Sequence, residues 1–213
     1  MHQTSSLIKA SHLGATGRLA RTDTDIVLVE RTLDTAVLAE AEHRCRRGPV
    51  FRYVQEVPIG KGHDVFEGFP AGVLRDQLRR DVPRLVAAWA SLTGRMQARV
   101  GLALVDSDEC RKLHRDYIDL RIVCTYWGPG TWLAPEEVLD RSALGAVFEC
   151  VNEANRRICS DPSRLVQAGA GDFAFLKGAR WKGRSRGAIH RSPAIEAARA
   201  RRIVLKVDGG VHQ

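Results

Sequence analysis

Apolar positions change their period partway along the chain, from helical spacing before Gly94 to alternation after it. Residues 72–93 place Val73, Leu74, Leu78, Val82, Leu85, Val86 and Trp89 near the spacing of one helical face, and Pro83 predicts a break or a new first turn. Upstream, residues 25–30 read as a short strand. Asp34 is placed to cap a helix running to about Arg46, with Ala36, Leu38 and Ala41 turned inward. The first two dozen residues are polar and predict a frayed end. Pro49, Pro58, Gly60, Gly62, Gly68 and Pro70 punctuate a stretch that reads as loop.

Past Gly94, residues 98–105 and 118–126 read as strands, the second closed by the turn Gly128-Pro129-Gly130. Residues 142–159 fit a helix or an excursion between strands. Residues 173–177, 187–191 and 202–207 read as three more extended segments. There is no internal repeat. The pattern predicts an α+β chain: a mainly helical region over residues 1–95, packed on a β-rich core over 96–213 of jelly-roll or related barrel-like form.

A chain of 213 residues with 44% hydrophobic and 27% charged side chains can bury a real core, which excludes wholesale disorder. No apolar run approaches a bilayer span, and no secretory-type stretch opens the chain. Five cysteines without a Cys-x-x-Cys pair point to reduced thiols, and together these features predict a cytoplasmic protein. The net charge of +8 is concentrated in residues 177–202, where nine cations face Glu196 alone. Such a segment can hold phosphates, so nucleic-acid binding is one reading. Trp181 is its only aromatic and no binding motif surrounds it, which favours a solvated basic hairpin or a small anionic ligand.

The candidate chemistry lies elsewhere. His114 and Asp116 flank Arg115 just before the strand 118–126, and in an extended segment residues two apart point the same way. His190 follows far along the chain. Two histidines and one carboxylate form the facial set that holds Fe(II) while leaving positions open for substrate and dioxygen. Asp116 fills the ligand position that a halide would need, which disfavours halogenation. Oxygenases using 2-oxoglutarate also need a cation for the distal carboxylate of that cosubstrate. Arg202 is the first candidate, with Lys206 and Arg191 behind it; Arg202, Val204 and Lys206 share one face of the last strand. Arg121, a charge among Leu120, Ile122 and Val123, needs a partner and is a further candidate. A zinc site joining Cys110 to His114 and Asp116, a loop pair His63-Asp64 facing substrate, and Trp127 and Trp132 at a pocket mouth complete the set. No P-loop, dinucleotide fingerprint or nucleophile elbow is present.

Three blocks carry a family resemblance. Residues 120–131 (Leu-Arg-Ile-Val-Cys-Thr-Tyr-Trp-Gly-Pro-Gly-Thr), 171–178 (Gly-Asp-Phe-Ala-Phe-Leu-Lys-Gly) and 187–193 (Gly-Ala-Ile-His-Arg-Ser-Pro) resemble motifs of a bacterial family labelled domain of unknown function 1826, over roughly residues 100–208. More remotely, the order His-x-Asp, an arginine-containing strand ending in Tyr126, a glycine turn, a Gly-Asp strand and a late histidine is similar to prolyl-hydroxylase-type Fe(II)/2-oxoglutarate oxygenases. That resemblance implies a double-stranded β-helix (cupin-like) core. His114, Asp116 and His190 would ligate iron, Arg202 would bind 2-oxoglutarate, and Arg121, Tyr126 and Lys206 are further cosubstrate candidates. The expected function is hydroxylation or desaturation of a small substrate with dioxygen, the basic segment suggesting an anionic one. The alternatives are a non-redox zinc-binding or metal-handling protein on the same fold, and a nucleic-acid-binding protein using residues 177–202.

Overall fold

A computed structural model describes residues 6–63 and 65–210. Its main feature is a seven-stranded sheet in which central strands present alternate side chains to two different layers. In chain order these strands are β1 (Leu7–Ala10), β2 (Ile26–Val29), β3 (Phe51–Pro58), β4 (Gln97–Val105), β5 (Leu120–Trp127), β8 (Phe173–Lys177) and β10 (Arg202–Asp208). Their order across the sheet is β1-β2-β8-β5-β10-β4-β3, antiparallel apart from the β1/β2 pair. A three-stranded sheet is ordered β7 (Val166–Gln167), β6 (Trp132–Ala134), β9 (Ile189–Arg191).

Alternation decides which face each residue joins. Leu120, Ile122, Cys124 and Tyr126 of β5 and Ile203, Leu205 and Val207 of β10 pack against α1 (Thr35–Arg47) and α2 (Val73–Thr93). On the other face Val123, Ala174, Leu176 and Val204 pack with Leu133 of the small sheet and with Ala188 and Ile195. The result is an α+β sandwich, with helices on one side of the large sheet and the small sheet on the other.

Local chemistry sets the helix ends. The Asp34 side chain accepts from the Ala36 N–H at 2.7 Å, the cap that the sequence predicts. At the far end of α2, Gly94 adopts φ +72° and its N–H reaches the Ala90 carbonyl at 2.8 Å. Pro83 does not break α2, contrary to expectation. An interior proline costs about 3 kcal/mol. Val82, Leu85, Val86 and Trp89 are buried around it, at about 1.5–3 kcal/mol each, and that packing outweighs the cost.

Residues 1–95, expected to be mainly helical, hold α1, α2 and a 3-10 helix but are not a helical layer alone. β1, β2 and β3 all belong to the large sheet, so this region completes the sheet besides covering it. The N-terminal stretch expected to fray instead contains β1 and a 3-10 helix, Leu13–Ala20, while residues 1–5 lie outside the described residues. The expected loop contains β3, an edge strand ending at Pro58. Among the described residues no helix is long and apolar enough to cross a membrane.

One polar cluster sits inside the helix-facing core. Asp81 of α2 is fully buried and accepts from Arg31 Nη1 and Nη2 (3.0 and 2.7 Å), Gln77 Nε2 (3.0 Å) and the Tyr126 hydroxyl (2.7 Å). Breaking a buried ion pair from one side leaves the other charge stranded. Asp81→Ala should therefore lose about 3–5 kcal/mol of unfolding free energy. Tyr126→Phe should lose about 1–2 kcal/mol, since it deletes one hydrogen bond. Urea denaturation of the two variants checks the order; equal small losses would contradict it.

Candidate metal centre

His114 and His190 are brought together by the backbone. Their N–H groups and carbonyls exchange hydrogen bonds at 3.0 and 3.1 Å as an isolated antiparallel bridge. Directly opposed residues place their side chains on the same side, and the two rings lie 4.6 Å apart between centroids. Asp116 follows two residues after His114, as the extended spacing requires. One ligand atom from each of His114, Asp116 and His190 lies within 4.8 Å of the others, and among the described residues this is the set of three able to hold a metal ion.

Ring orientation is set by the nitrogens that face away from the cluster. His114 Nδ1 lies 2.8 Å from the Lys112 carbonyl, and His190 Nδ1 lies 3.4 Å from that of Ala188. A carbonyl can only accept, so His114 Nδ1 carries a proton, and the same contact, longer, favours this for His190. Both Nε2 atoms then face Asp116, at 3.5 Å from Oδ1 and 3.3 Å from Oδ2. This is the tautomer that offers an Nε2 lone pair to a metal.

The carboxylate is also held from behind. Arg121 Nη1 donates to Asp116 Oδ2 at 2.8 Å, while its Nε and Nη2 donate to Asp208 Oδ2 at 3.1 and 2.9 Å. Burial opposes ionisation of Asp116, but contacts to both histidines and the Arg121 charge prevail and hold its carboxyl well below the usual range. Burial opposes the His114 imidazolium as well; there Asp116 and the Lys112 carbonyl outweigh it and raise the pKa. His190 is more deeply enclosed, and burial pushes its pKa down.

On the same inner face, Arg202 is 2% exposed. Its Nη2 donates to Thr125 Oγ1 at 3.0 Å and, more weakly, to Thr131 Oγ1 at 3.4 Å, whereas the buried Nε and Nη1 have no partner. Burial pushes its pKa down to about 10, with Glu109 opposing, so it stays charged at neutral pH. The Gly-Pro-Gly turn sets Thr131 against it. A Cβ on Gly130 would overlap the Ala168 carbonyl oxygen at 1.9 Å, and Gly128 has φ +85° with Arg201 and Arg202 pressed on it.

The remaining candidates go elsewhere. Tyr126 is corrected: it lies on the opposite face of β5, its hydroxyl spent on Asp81. Lys206 shares the Arg202 face but pairs with Glu109 at 3.0 Å, and Arg191 lies over the Trp132 ring at 5.5 Å. Arg121 contacts two carboxylates and acts on the site through Asp116. Cys110 is exposed and outside the cluster. Trp127 lines a surface cleft with Pro129 and Arg201. His63 is exposed, and Asp64 lies outside the described residues. The basic segment 177–202 is largely spent within the fold: Lys177, Lys182 and Arg201 donate to backbone carbonyls, Arg186 pairs with Glu136 and Arg202 is buried.

Sequence reasoning missed Asp208, Thr125 and Thr131. Extending the period of two by one step, from Arg202, Val204 and Lys206 to Asp208 and from Arg121 and Val123 to Thr125, finds the first two.

The thiols give a direct check on this arrangement. Burial pushes Cys45 up to about 11, with Arg201 opposing, and Cys124 up to about 12, chiefly against the Arg31 charge; burial raises Cys159 as well. Cys110 and Cys150 are exposed. An aromatic disulfide reagent at mildly alkaline pH should modify Cys110 and Cys150 rapidly in the native protein and the other three only after denaturation. A third fast thiol would contradict the burial described.

The sequence profile of the family described as "Protein of unknown function (DUF1826)" matches residues 10–208, well beyond the 100–208 span of the motif resemblance. No curated protein matches the chain in sequence. Among solved structures, a Pseudomonas putida prolyl-4-hydroxylase is similar at 15% identity and TM-score 0.46, with 96% of this chain and 97% of that one covered. JOX2, in complex with 2OG, Fe and JA, is similar at 8% identity and TM-score 0.48, over 95% of this chain and 73% of that one. A C-terminally truncated Neurospora crassa protein in apo form gives 11% and 0.47, over 96% and 94%. Likeness at this level leaves the chemistry to be read from the site itself.

Proposed function

The chain belongs to the DUF1826 family, and we propose that it is a non-haem Fe(II) oxygenase that uses 2-oxoglutarate on a double-stranded β-helix core. The observation that carries this reading is a coincidence on one face of the large sheet. Three metal-competent donors converge there, and a buried guanidinium on the same face has two unused donor atoms. An unpaired buried donor costs about 1–3 kcal/mol, so Arg202 fits a site completed by an anion.

The donor set suits iron. Two imidazoles and one carboxylate would hold Fe(II) and leave positions for cosubstrate and dioxygen. Bound iron supplies dioxygen activation coupled to oxidation of 2-oxoglutarate, with a substrate C–H bond as the acceptor of the oxidising power. The protein's part is placement. His114 and His190 would present fixed Nε2 lone pairs, and Arg121, itself held by Asp208, helps keep the Asp116 carboxylate ionised and oriented. Arg202 takes the distal carboxylate of 2-oxoglutarate through Nε and Nη1, with Thr125 and Thr131 holding Nη2 in place. Hydroxylation or desaturation of a small substrate is the reaction class.

Metal analysis and calorimetry separate these roles. His114→Ala and Asp116→Ala should lose stoichiometric Fe(II) binding. Arg202→Ala should keep the metal and weaken 2-oxoglutarate by about 10- to 100-fold, the range expected for losing a charge-assisted pair. Full iron occupancy in His114→Ala, or unchanged 2-oxoglutarate affinity in Arg202→Ala, would overturn the corresponding assignment.

A further inference from the structure

The inner face of the large sheet continues past the metal centre, toward the edge strand β3, as a shallow groove of about 180 Å³. Alternation and register decide what lines it. Arg52 of β3 pairs with Ala103, Gly101 of β4 pairs with Lys206 of β10, and Asp208 lies opposite Arg99. Arg52, Arg99, Gly101, Arg121, Lys206 and Asp208 all border this space. Arg121 reaches Asp116 from here, so the groove adjoins the proposed metal site.

Two features set the groove apart from an ordinary polar surface. The first is its charge. Asp208 and Asp116 engage Arg121, and Glu109 is shared between Lys206 at 3.0 Å and, more distantly, Arg52 at 3.7 Å. Glu56 lies opposite Arg99 in register but forms no ion pair with it, and Arg99 has no ionic partner among the described residues. The groove therefore keeps one free guanidinium in Arg99 and one weakly engaged in Arg52. The second feature is Gly101, in the interior of β4. A glycine there weakens a strand, and one is normally found at a bulge, a sharp bend or a close approach by backbone or ligand. Pairing runs unbroken through Gly101 on both sides, and an added Cβ would meet only the Tyr53 carbonyl, at an ordinary 3.8 Å. Neither a bulge nor crowding explains it. What the glycine does provide is open space beside Val54, which stands opposite it on β3 and also borders the groove.

We propose that this groove binds the substrate of the enzyme, an acidic small molecule whose carboxylate or phosphate is held by Arg52 and Arg99 above Gly101 while its remainder extends past Arg121 toward the metal. The proposal rests on the oxygenase reading for its catalytic meaning. The binding itself is testable apart from it.

The full chain, with and without Fe(II) under anaerobic conditions, is titrated calorimetrically with inorganic phosphate, succinate and the neutral twin succinamide. The wild type should bind phosphate or succinate at least about tenfold more tightly than succinamide, because only an anion engages the guanidinium pair. Arg99→Gln and Arg52→Gln should each weaken the preferred anion by about tenfold. Gly101→Leu should abolish binding at the groove, which should persist in Arg202→Ala, where any binding of succinate at the proposed 2-oxoglutarate position is removed. Both arginine side chains are on the surface, so their variants should keep the wild-type melting temperature and iron stoichiometry. A preference for phosphate assigns a phosphate ester and a preference for succinate a carboxylic acid; either supports the proposal. Equal affinity for succinate and succinamide, no saturable anion binding, or loss only in Arg202→Ala would overturn it. Anion binding that follows Arg52 and Arg99 in a protein that never takes up iron would sustain the groove and overturn the oxygenase reading.

Discussion

The antiparallel pairing of β5 with β10 at the middle of the large sheet is the constraint on which the other features depend. Both strands turn one set of side chains to the helices and the other to the small sheet, so a slip of one residue would exchange apolar core for polar site. The pairing is not uniform. Between Ile203 and Val204 the register skips Tyr126, so Trp127 stands opposite Ile203 and Thr125 opposite Val204. A bulge of this kind re-aims side chains. Here it lets Trp127 pack toward the helix-facing core while Thr125 stays inside, within reach of Arg202.

Charge is distributed unequally between the two faces. On the helix side, Arg31 and Asp81 neutralise each other in a closed cluster that also satisfies Tyr126 and Gln77. On the inner side, the arrangement stays open: Asp116 gathers two imidazoles and a guanidinium, and Arg202 leaves Nε and Nη1 unpaired. Folding alone would favour removing such groups, because replacing buried polar partners by apolar ones of the same shape can be neutral or stabilising. A site that retains them is organised for something other than stability. The groups behind the three donors support the same view, since Arg121 and Asp208 fix the carboxylate and two backbone carbonyls fix the imidazoles before any ion binds.

Much of this is legible in the sequence because it depends on a period of two. His114 and Asp116 share a face by spacing, and the same period divides the residues of β5, β8 and β10 between the two cores. The cap at Asp34 is readable from one residue and its place before an apolar run. The misreadings have physical causes as well. β1 is four residues long, too short for a period to stand out, and is held by β2, a neighbour distant in sequence, whereas β2 itself is read as a strand from residues 25–30. β3 is hidden by Pro58 and Gly60, which punctuate its end and not its interior. Pro83 is overruled by packing against the sheet. Tyr126 stands next to a motif, yet strand parity, not proximity, decides its face. Arg202 is singled out among the nine cations of its segment by its place on the last strand, and its burial follows from the meeting of β10 with Thr125 and Thr131.

That the three donors and Arg202 form one site for iron and 2-oxoglutarate together is the proposal on which the oxygenase function rests. Its most direct test is an anaerobic titration of the metal-free protein, first with Fe(II) and then with 2-oxoglutarate, followed by visible absorption. A metal-to-ligand charge-transfer band is expected only when both are present and should be absent in His190→Ala. Iron binding without that band would contradict the assignment of Arg202 to the cosubstrate. No iron binding at all would contradict the metal centre itself.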